Sequence, residues 1–566
     1  MAVCAAGWVL LAVGFVLPLG GVVAAALDRS QVSTALVGVP DPVSLLIRSL
    51  TLSGVATVGA LTLGLFPAAV LGSAQGRTSA ILIGLVLAPL LVPPQVYAYA
   101  WQLLLAPQAL GGRVMPDVGW LREAVKAGLI SAGWLWPVAA LILAAGLRST
   151  GQAVFAMALL DASPWRAFFR AVVPSLRPYL VAAASLIFAI TLVEFPIPHL
   201  SLARVYSTEL QVLVDVGAPP GQVVSMAAQV SALVGVLALL VAWSLRDVRL
   251  WQALDEEALA AGRERAGPMI QSSRALQPSI HAVQLPGGAE YRVAKTAGGF
   301  GHGWWVVSGV VWLATLGLPV SAMIHELRPP VLWGQGFQLL AREWISSLGV
   351  ATGAGAIAVF VAVSTALLIP AAQRGWKQAS LRGGAALTLI AAMIPAAALG
   401  IGFVVVYNRA MFSILPGGFD LYADTPVIWV LAMGARYAAI AVLVVWLAVG
   451  RRSNLLADSA RVEGADAFAL VAYILAPMLW PSLLAAGLLV SALALFEVVA
   501  APMVAPVTVP SGIAKTILNH MHYGRDNVVI TTSLTVMVAG ILLTQVCGWL
   551  LVRGGERASA GGGVSK

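Results

Sequence analysis

The segment EGADAFALVAYILAPMLWP (Glu463–Pro481) separates two long apolar runs near the C-terminal end of the chain. It begins with a charge and a glycine, continues as a short amphipathic segment, and ends with Pro477 and Pro481. Proline removes a backbone donor and clashes with the preceding turn, so this pair marks a place where one helix ends and another begins. The segment predicts a surface connection that leads into a membrane-spanning helix.

The composition of the whole chain determines its class. Of the 566 residues, 60% are hydrophobic and only 10% are charged, and the mean hydropathy is +0.91. Too little polar surface remains for a water-soluble protein of this length. The net charge of +9 does not indicate nucleic-acid binding, because Lys and Arg are scattered singly between apolar runs. We therefore predict an all-α polytopic protein embedded in a lipid bilayer.

About twelve apolar runs are long enough to cross a bilayer, which takes roughly 20 residues. Their centres are Phe15, Leu61, Leu90, Leu141, Ile187, Leu237, Val311, Val359, Ala392, Val442, Leu488 and Val538. The first run is predicted to be a retained helix, because it lacks the basic start of a cleaved signal peptide. One long polar stretch separates six runs from six, so we divide the chain into 1–247, a cytoplasmic linker at 248–303, and 304–566.

The positive charges predict the orientation. With the N-terminus inside, the cytoplasmic segments hold 21 of the 33 Lys and Arg residues and the external segments hold 11, while Arg436 lies within a span. Cytoplasmic loops of membrane proteins carry such an excess. Both termini are therefore predicted to be cytoplasmic.

The opening segment has a partner in the first half, DASPWRAFFRAVVPSLRP (Asp161–Pro178). A shift of 303 residues pairs Pro174 with Pro477, Pro178 with Pro481, Ala162 with Ala465, Glu194 with Glu497 and Ser163 with Asp466. These matches predict a duplication. Because each half has an even number of spans, both enter the membrane in the same direction. We expect two parallel six-helix repeats related by a pseudo-two-fold axis along the membrane normal.

Capping residues predict a helix, a turn and a second helix in each copy. Ser163 and Asp466 are predicted N-caps whose side-chain oxygens accept a backbone N–H, and Pro164 suits a first helical turn. Gly464 is predicted to end the preceding short helix with a positive φ.

The prolines predict how each copy enters its next span. Pro174 and Pro477 are expected to interrupt the second helix, and Pro178 and Pro481 to lie in the first turn of the span. An interfacial connector with no partner is the alternative interpretation. Two copies at equivalent places favour two equivalent docking surfaces instead.

The stretch DSARVEGADAFALVAYILAPMLWP resembles the cytoplasmic loop motif of ABC importer permeases, in which an acidic residue, two small residues and a glycine precede a proline. Asp458 stands at the acidic position, Ser459 and Ala460 at the small ones, and Gly464 at the glycine. The first copy is degenerate, with Phe155 at the acidic position and Asp161 at the glycine position. LIRSLTLSGVATVGALTLGLFPAAVLG and LAPLLVPPQVYAYAW also resemble this family. In outline the likeness covers the chain except the linker.

The resemblance implies that loops at about 155–174 and 458–477 form coupling helices that fit clefts on a separate ATPase. The implied coupling residues are Asp161, Ala162, Ser163, Pro164 and Pro174 in the first loop and Asp458, Ser459, Ala460, Gly464, Ala465, Asp466 and Pro477 in the second. It further implies a bacterial inner-membrane location, ATP bound by a pair of partner ATPase subunits with no cofactor in this chain, and an external substrate-binding protein. Fused permeases of this layout resemble those for ferric iron, and less specifically those for thiamine, phosphonates or polyamines.

Three ionisable residues fall within or beside predicted spans: Glu194, Glu497 and Arg436. Such residues are costly in a bilayer and indicate function by default. The duplication would place the two glutamates facing each other in a substrate pathway. Alternatively, they lie hydrogen-bonded at the outer ends of their spans, with Arg436 paired to a carboxylate or lining a helix interface.

Other motifs are weak or absent. NHMHYGRD (Asn519–Asp526) contains two histidines, but without further ligands we expect a solvated loop and no metal site. Cys4 and Cys547 form no cluster. The sequence contains no GxxxxGK[ST], HExxH or GxSxG motif, so we expect a transporter subunit and not an enzyme. An ion-gradient-driven secondary transporter with two six-span halves is the alternative. It predicts a charged, Gly/Arg-rich motif after each second span, which GSAQGRTSA and AAQRGWKQA resemble only weakly.

Overall fold

The computed structural model of the chain describes most of both halves. The described residues are 2–27, 41–105, 119–148, 152–245, 283–284, 290–291, 302–327, 340–366, 387–408, 414–415, 419–450, 462–465, 473–474, 476–510 and 512–560, with positions 338, 384, 460 and 469. Most of the predicted linker at 248–303 lies outside these residues.

The regular secondary structure in the described part of the N-terminal half is all helical. Its α-helices are α1 (Ala2–Leu11), α2 (Leu17–Leu27), α3 (Pro42–Ser73), α4 (Gly76–Leu91), α5 (Pro94–Leu105), α6 (Trp120–Gly146), α7 (Gln152–Ala158), α8 (Pro164–Ala167), α9 (Val173–Ser175), α10 (Arg177–Val193), α11 (Pro196–Leu200), α12 (Tyr206–Asp215) and α13 (Pro220–Leu245). Two π-helical stretches, π1 (Ala12–Val16) and π2 (Phe168–Val172), interrupt this series.

The described part of the C-terminal half is also mainly helical. Its helices are α14 (His302–Trp312), π3 (Leu313–Gly317), α15 (Leu318–His325), α16 (Ala341–Ala366), α17 (Leu387–Met393), α18 (Ala396–Tyr407), α19 (Val427–Gly450), α20 (Ala476–Leu495), α21 (Ala500–Val504), α22 (Ile513–His522) and α23 (Asp526–Ala560). Extended structure in the described residues is limited to two short antiparallel ladders, β1 (Val283–Gln284) with β2 (Glu290–Tyr291) and β3 (Ile414–Leu415) with β4 (Phe419–Asp420).

The described helices are compatible with the predicted number of about twelve membrane spans. Nine helices of the described chain are long and apolar enough to cross a bilayer, and the number rises to twelve when three bent helix pairs each count as one span. Every predicted span centre falls within one of these helices. The chain is therefore a multi-pass membrane protein by the length and composition of its helices.

The third span of each half is broken, which the hydrophobicity pattern did not predict. The axes of α4 and α5 meet at 79°, and those of α17 and α18 meet at 115°. Pro93 and Pro395 lie in the breaks, and a proline disfavours helical backbone at the residue before it. The freed carbonyls are satisfied from the fourth span: the Trp134 indole N–H donates to Val92 O over 3.0 Å, and the Arg436 guanidinium donates to Ile394 O.

The first helices of the two halves pack reciprocally. Helix α1 contacts α16 and α2 contacts α18, while α14 contacts α3 and α15 contacts α5. A Cβ on Gly21 would lie 2.6 Å from Gly402 O, so α2 and α18 approach closely only because both positions are small.

Each first helix contains a π-helical turn that is held by the other half. The Tyr97 hydroxyl on α5 donates to Thr315 O in π3 over 2.7 Å, and the Tyr407 hydroxyl on α18 donates to Val13 O in π1 over 2.6 Å. A π-turn disturbs the regular i→i−4 pattern and leaves carbonyls available for such bonds. The two halves therefore form one interlocked body.

Candidate functional site: two surface loops and a charged cluster

The first loop is a helix, a turn and a second helix, as predicted. Helix α7 ends at Ala158, and the chain then turns before α8 begins at Pro164. Ser163 is at the N-cap, but its side chain forms no capping bond; its backbone carbonyl instead accepts from Ala167 N over 2.8 Å. The predicted position of the cap is confirmed, and the predicted serine side-chain bond is wrong.

The turn into the fifth span differs from the proline prediction. The second helix continues past Pro174 to Ser175, and the axis bends by 72° between 164–175 and α10. The non-helical residue is Leu176, whose ψ is 6°. Pro178 lies in the first turn of α10, as predicted.

An aromatic cluster ties the first loop to the second half. Trp165 stacks on Trp304 with ring centroids 4.6 Å apart, and the buried Phe168 lies 4.6 Å from the same indole. Phe66 on α3 completes the cluster 5.5 Å from Trp304. Because Trp304 belongs to α14, the loop of one half is anchored on the first helix of the other.

Large apolar side chains on the first loop are exposed on the surface of the chain. Met157 is 71% exposed and Leu160 is 72% exposed, and both Trp165 and Phe169 are more than one third exposed. Asp161, Ser163 and Pro164 are also exposed. Contiguous exposed apolar side chains beside polar ones are typical of a protein–protein contact.

The second loop contains the predicted glycine turn. Gly464 has a φ of +86°, and Ala465 N donates to Ala460 O over 2.9 Å, which is the bond that closes a Schellman-type helix end. A Cβ at Gly464 would meet nothing within 4 Å, so the backbone angle alone requires glycine. Val462 and Tyr473 nearby are 87% and 76% exposed.

Other predicted residues of the second loop are only partly placed. Asp458, Ser459 and Asp466 lie outside the described residues. Pro477 is in the first turn of α20, whereas Pro481 lies inside that helix. The predicted place of Pro481 in the first turn of the span is therefore wrong, since the helix begins at Ala476 and runs through Pro481. The segment before Pro477 lies largely outside the described residues.

Arg436 finds its partner in Glu497. The Arg436 Nε lies 3.8 Å from Glu497 Oε2, with the two side chains only 11% and 9% exposed. The Tyr437 hydroxyl donates to the same oxygen over 2.7 Å, and Glu497 Oε1 accepts from Val499 N over 3.0 Å at the start of α21. The buried carboxylate therefore has a cation, a hydroxyl and backbone donors around it.

Glu194 lies in a comparable place with fewer partners. It follows the last residue of α10, and its carboxylate accepts from Ile197 N over 3.1 Å at the start of α11. Among the residues that the structure describes, Glu194 has no ion pair, although it lies close enough to Glu497 for the two charges to interact. Both glutamates thus end their spans and cap a short helix, which agrees with the hydrogen-bonded alternative, and they also lie near each other.

The two histidines of NHMHYGRD are in a helix, not in a solvated loop. His520 and His522 belong to the last turn of α22. His522 Nε2 lies 3.2 Å from Nε2 of His199, on α11 of the other half. Within the described ranges, no group of three or more His, Cys, Asp or Glu side chains could hold a metal ion.

Sequence reasoning missed the partners of these side chains. Tyr437 is the neighbour of Arg436 in the sequence. Its hydrogen-bond partner Glu497 lies 60 residues further along the chain, so no local pattern links the two. Trp165 and Trp304 stand in segments with no common motif. Only the packing of helices reveals these contacts.

Comparison with known proteins adds no assignment. No protein-family model matches the chain. No curated protein matches it either.

Proposed function

We propose that this chain is the membrane subunit of an ATP-driven ABC importer, with the substrate pathway between two homologous halves. The observation that carries the proposal is the surface helix–turn–helix between the fourth and fifth spans of the first half, together with the glycine turn at Gly464 at the corresponding place in the second half. In a transporter powered by a separate cytoplasmic ATPase, each half needs a surface that the ATPase can contact. Both elements carry exposed apolar side chains suited to that contact.

Details of local geometry support a duplication. The π-turns π1 and π3 occur at matching places in the first helices. Helices α12 and α22 each have ten residues and are followed by a glycine with positive φ, Gly217 at +70° and Gly524 at +64°. Both glycines have a left-handed backbone conformation. The two helices therefore end in the same backbone geometry, which a similar amino-acid composition alone would not produce.

A pair of hydrogen bonds supports the same relation. Tyr206 N at the start of α12 donates to Ser49 Oγ on α3 over 3.0 Å, and Ile513 N at the start of α22 donates to Ser347 Oγ on α16 over 2.9 Å. In each half, therefore, a serine of the second span caps the helix that precedes the last span. Together with the reciprocal packing of the first helices, these bonds favour two parallel repeats about a pseudo-two-fold axis.

The charged cluster supports a cationic substrate, and we propose ferric iron delivered by an external binding protein. Glu497 is neutralised by Arg436, whereas Glu194 faces no cation in the described residues. A buried carboxyl group that has no cationic partner inside a membrane domain is by default a candidate for a substrate or ion pathway. The charge bias of the loops supports cytoplasmic termini, and we propose a location in the bacterial inner membrane.

We expect the two loops to couple unequally. The second loop retains the glycine turn, whereas the first has Asp161 in place of the glycine and is anchored to α14 by the Trp165 stack. Gly464→Ala should therefore reduce stimulated ATPase activity more than Asp161→Ala. Equal losses in the two variants would overturn this asymmetry.

Co-purification tests the function itself. The chain is co-expressed with the ATPase and the binding protein encoded beside it and purified through a tag on this chain. We expect the ATPase to co-purify, ATP-dependent uptake in proteoliposomes, and iron on the binding protein. The buried Arg436–Glu497 pair also suits an ion-gradient-driven secondary transporter. Failure of any ATPase to co-purify, with uptake that needs an ion gradient and no ATP, would establish that alternative.

A further inference from the structure

Two histidines from different halves meet at the end of the molecule opposite the two surface loops. His199 is on α11, which follows the far end of α10, and His522 is the last residue of α22. Their Nε2 atoms are 3.2 Å apart, and their ring centroids are 5.3 Å apart. The pair is accessible to solvent, since His522 is exposed and His199 is half-buried.

The hydrogen bond on the other nitrogen of His522 determines its tautomer. Nδ1 of His522 lies 2.8 Å from the carbonyl oxygen of Leu518, one turn earlier in α22. A carbonyl can only accept, so Nδ1 carries the proton and the neutral ring presents its lone pair on Nε2. Metal-binding histidines commonly have this arrangement, in which a backbone carbonyl orients the ring.

The ring of His199 is also held in place. It stacks on Phe195 with centroids 4.7 Å apart and planes 29° apart. Burial and the neighbouring His522 lower the pKa of His199, while Asp215 at the end of α12 acts in the opposite direction. His199 therefore stays neutral, the form that can bind a metal ion, at a lower pH than an ordinary histidine.

The separation of the two nitrogens fits a shared ligand. Imidazole nitrogens bind Zn²⁺ at about 2.0–2.1 Å, so two nitrogens 3.2 Å apart subtend an angle of about 100° at a common ion. That angle lies between those of octahedral and tetrahedral coordination. His520 cannot contribute on the same face, because residues two apart on a helix point about 200° apart.

We propose that His199 and His522 form a two-histidine site for borderline divalent transition-metal ions such as Ni²⁺, Cu²⁺ and Zn²⁺, and that the bound ion bridges the two halves of the chain. Imidazole suits these ions, whereas hard cations prefer oxygen ligands. Water completes the coordination on the exposed side. The site is independent of the proposed import function and separate from the pathway carboxylates. With two protein ligands it binds more weakly than a four-ligand structural zinc site.

Histidine footprinting tests the site without altering the fold. The full-length chain, purified through a tag that contains no histidine, is treated with diethyl pyrocarbonate at increasing Ni²⁺ concentration, and each modified histidine is measured by mass spectrometry. Ni²⁺ should protect His199 and His522 together and leave His520 unprotected, and Mg²⁺ should protect none.

Variants test whether the two ligands act as one site. In His522→Gln, the Ni²⁺ concentration that half-protects His199 should rise about tenfold or more, and His199→Gln should have the same effect on His522. His520→Gln is the matched control and should leave both unchanged. Equal protection of all three histidines in the unaltered chain, or unchanged protection of His199 in His522→Gln, would overturn the proposal.

Discussion

The buried ion pair between Arg436 and Glu497 gives the sharpest prediction about stability. Arg436→Met removes the cation and leaves a carboxylate that is 9% exposed, and Glu497→Gln leaves an arginine that is 11% exposed. Removing one partner of a buried pair costs about 3–5 kcal/mol, because the other charge stays buried and uncompensated. We take about 3 kcal/mol for each single variant, since Tyr437 and the backbone N–H of Val499 remain available to the side chain at position 497.

The double variant should be less damaged than either single variant. Arg436→Met with Glu497→Gln removes both charges together, and glutamine at 497 can still accept from Tyr437 and Val499. The remaining cost is about 2 kcal/mol, because the carbonyl of Ile394 loses its donor. The buried thiol of Cys547 provides the assay in a Cys4→Ser background. A thiol-reactive fluorophore labels it only when the helices separate on heating. We expect the apparent midpoint temperature to be highest for the unaltered chain, lower for the double variant, and lowest for the two single variants. A double variant that unfolds below both single variants would refute the ion-pair argument.

Three further perturbations follow from local geometry. Gly464→Val forces a β-branched residue to a φ of +86° at a cost of about 1–2 kcal/mol, so stimulated ATPase activity of the complex should fall while Gly464→Asn retains it. Trp165→Ala removes the stacking of Trp165 on Trp304 of α14, which is worth about 1 kcal/mol beyond burial. Trypsin should then cleave the first loop faster. Trp305 is half-exposed, and Trp305→Ala is the control. Tyr407→Phe loses the bond to the π1 carbonyl and should lower stability by about 1 kcal/mol in the thiol assay, whereas the exposed Tyr473→Phe should not. Unchanged trypsin cleavage in Trp165→Ala, or equal midpoints for the two tyrosine variants, would contradict the corresponding contact.

The positions of the apolar helices could be predicted because they are local properties. A run of roughly 20 apolar residues either forms a helix in the bilayer or leaves its backbone groups unsatisfied, so each run is interpretable by itself. The positive φ of Gly464 was predictable for a similar reason, since a glycine after a short amphipathic helix is a common helix end. The ungapped shift of 303 residues was less accurate. Gly217 and Gly524 occupy matching places but are a few residues away from the pairing that this shift gives. An insertion in one half displaces all later pairs, and a comparison at one fixed shift cannot follow that displacement.

The bends in the helices were predicted less well. Pro481 lies inside α20, Pro174 precedes the actual break at Leu176, and the breaks at Pro93 and Pro395 were not anticipated at all. A proline removes one hydrogen bond wherever it stands, but neighbouring helices decide whether that loss bends the chain. Side-chain donors such as Trp134 satisfy the carbonyls that a break exposes.

The sequence by itself determined that this chain is a helical, multi-pass membrane protein with a glycine turn at Gly464. Only the tertiary structure paired Arg436 with Glu497, His199 with His522, and Trp165 with Trp304. The physical reason is the range of the interactions. Backbone hydrogen bonding and transfer into lipid act on consecutive residues, whereas these pairs join segments that are distant in sequence and meet only after the helices of the two halves have packed.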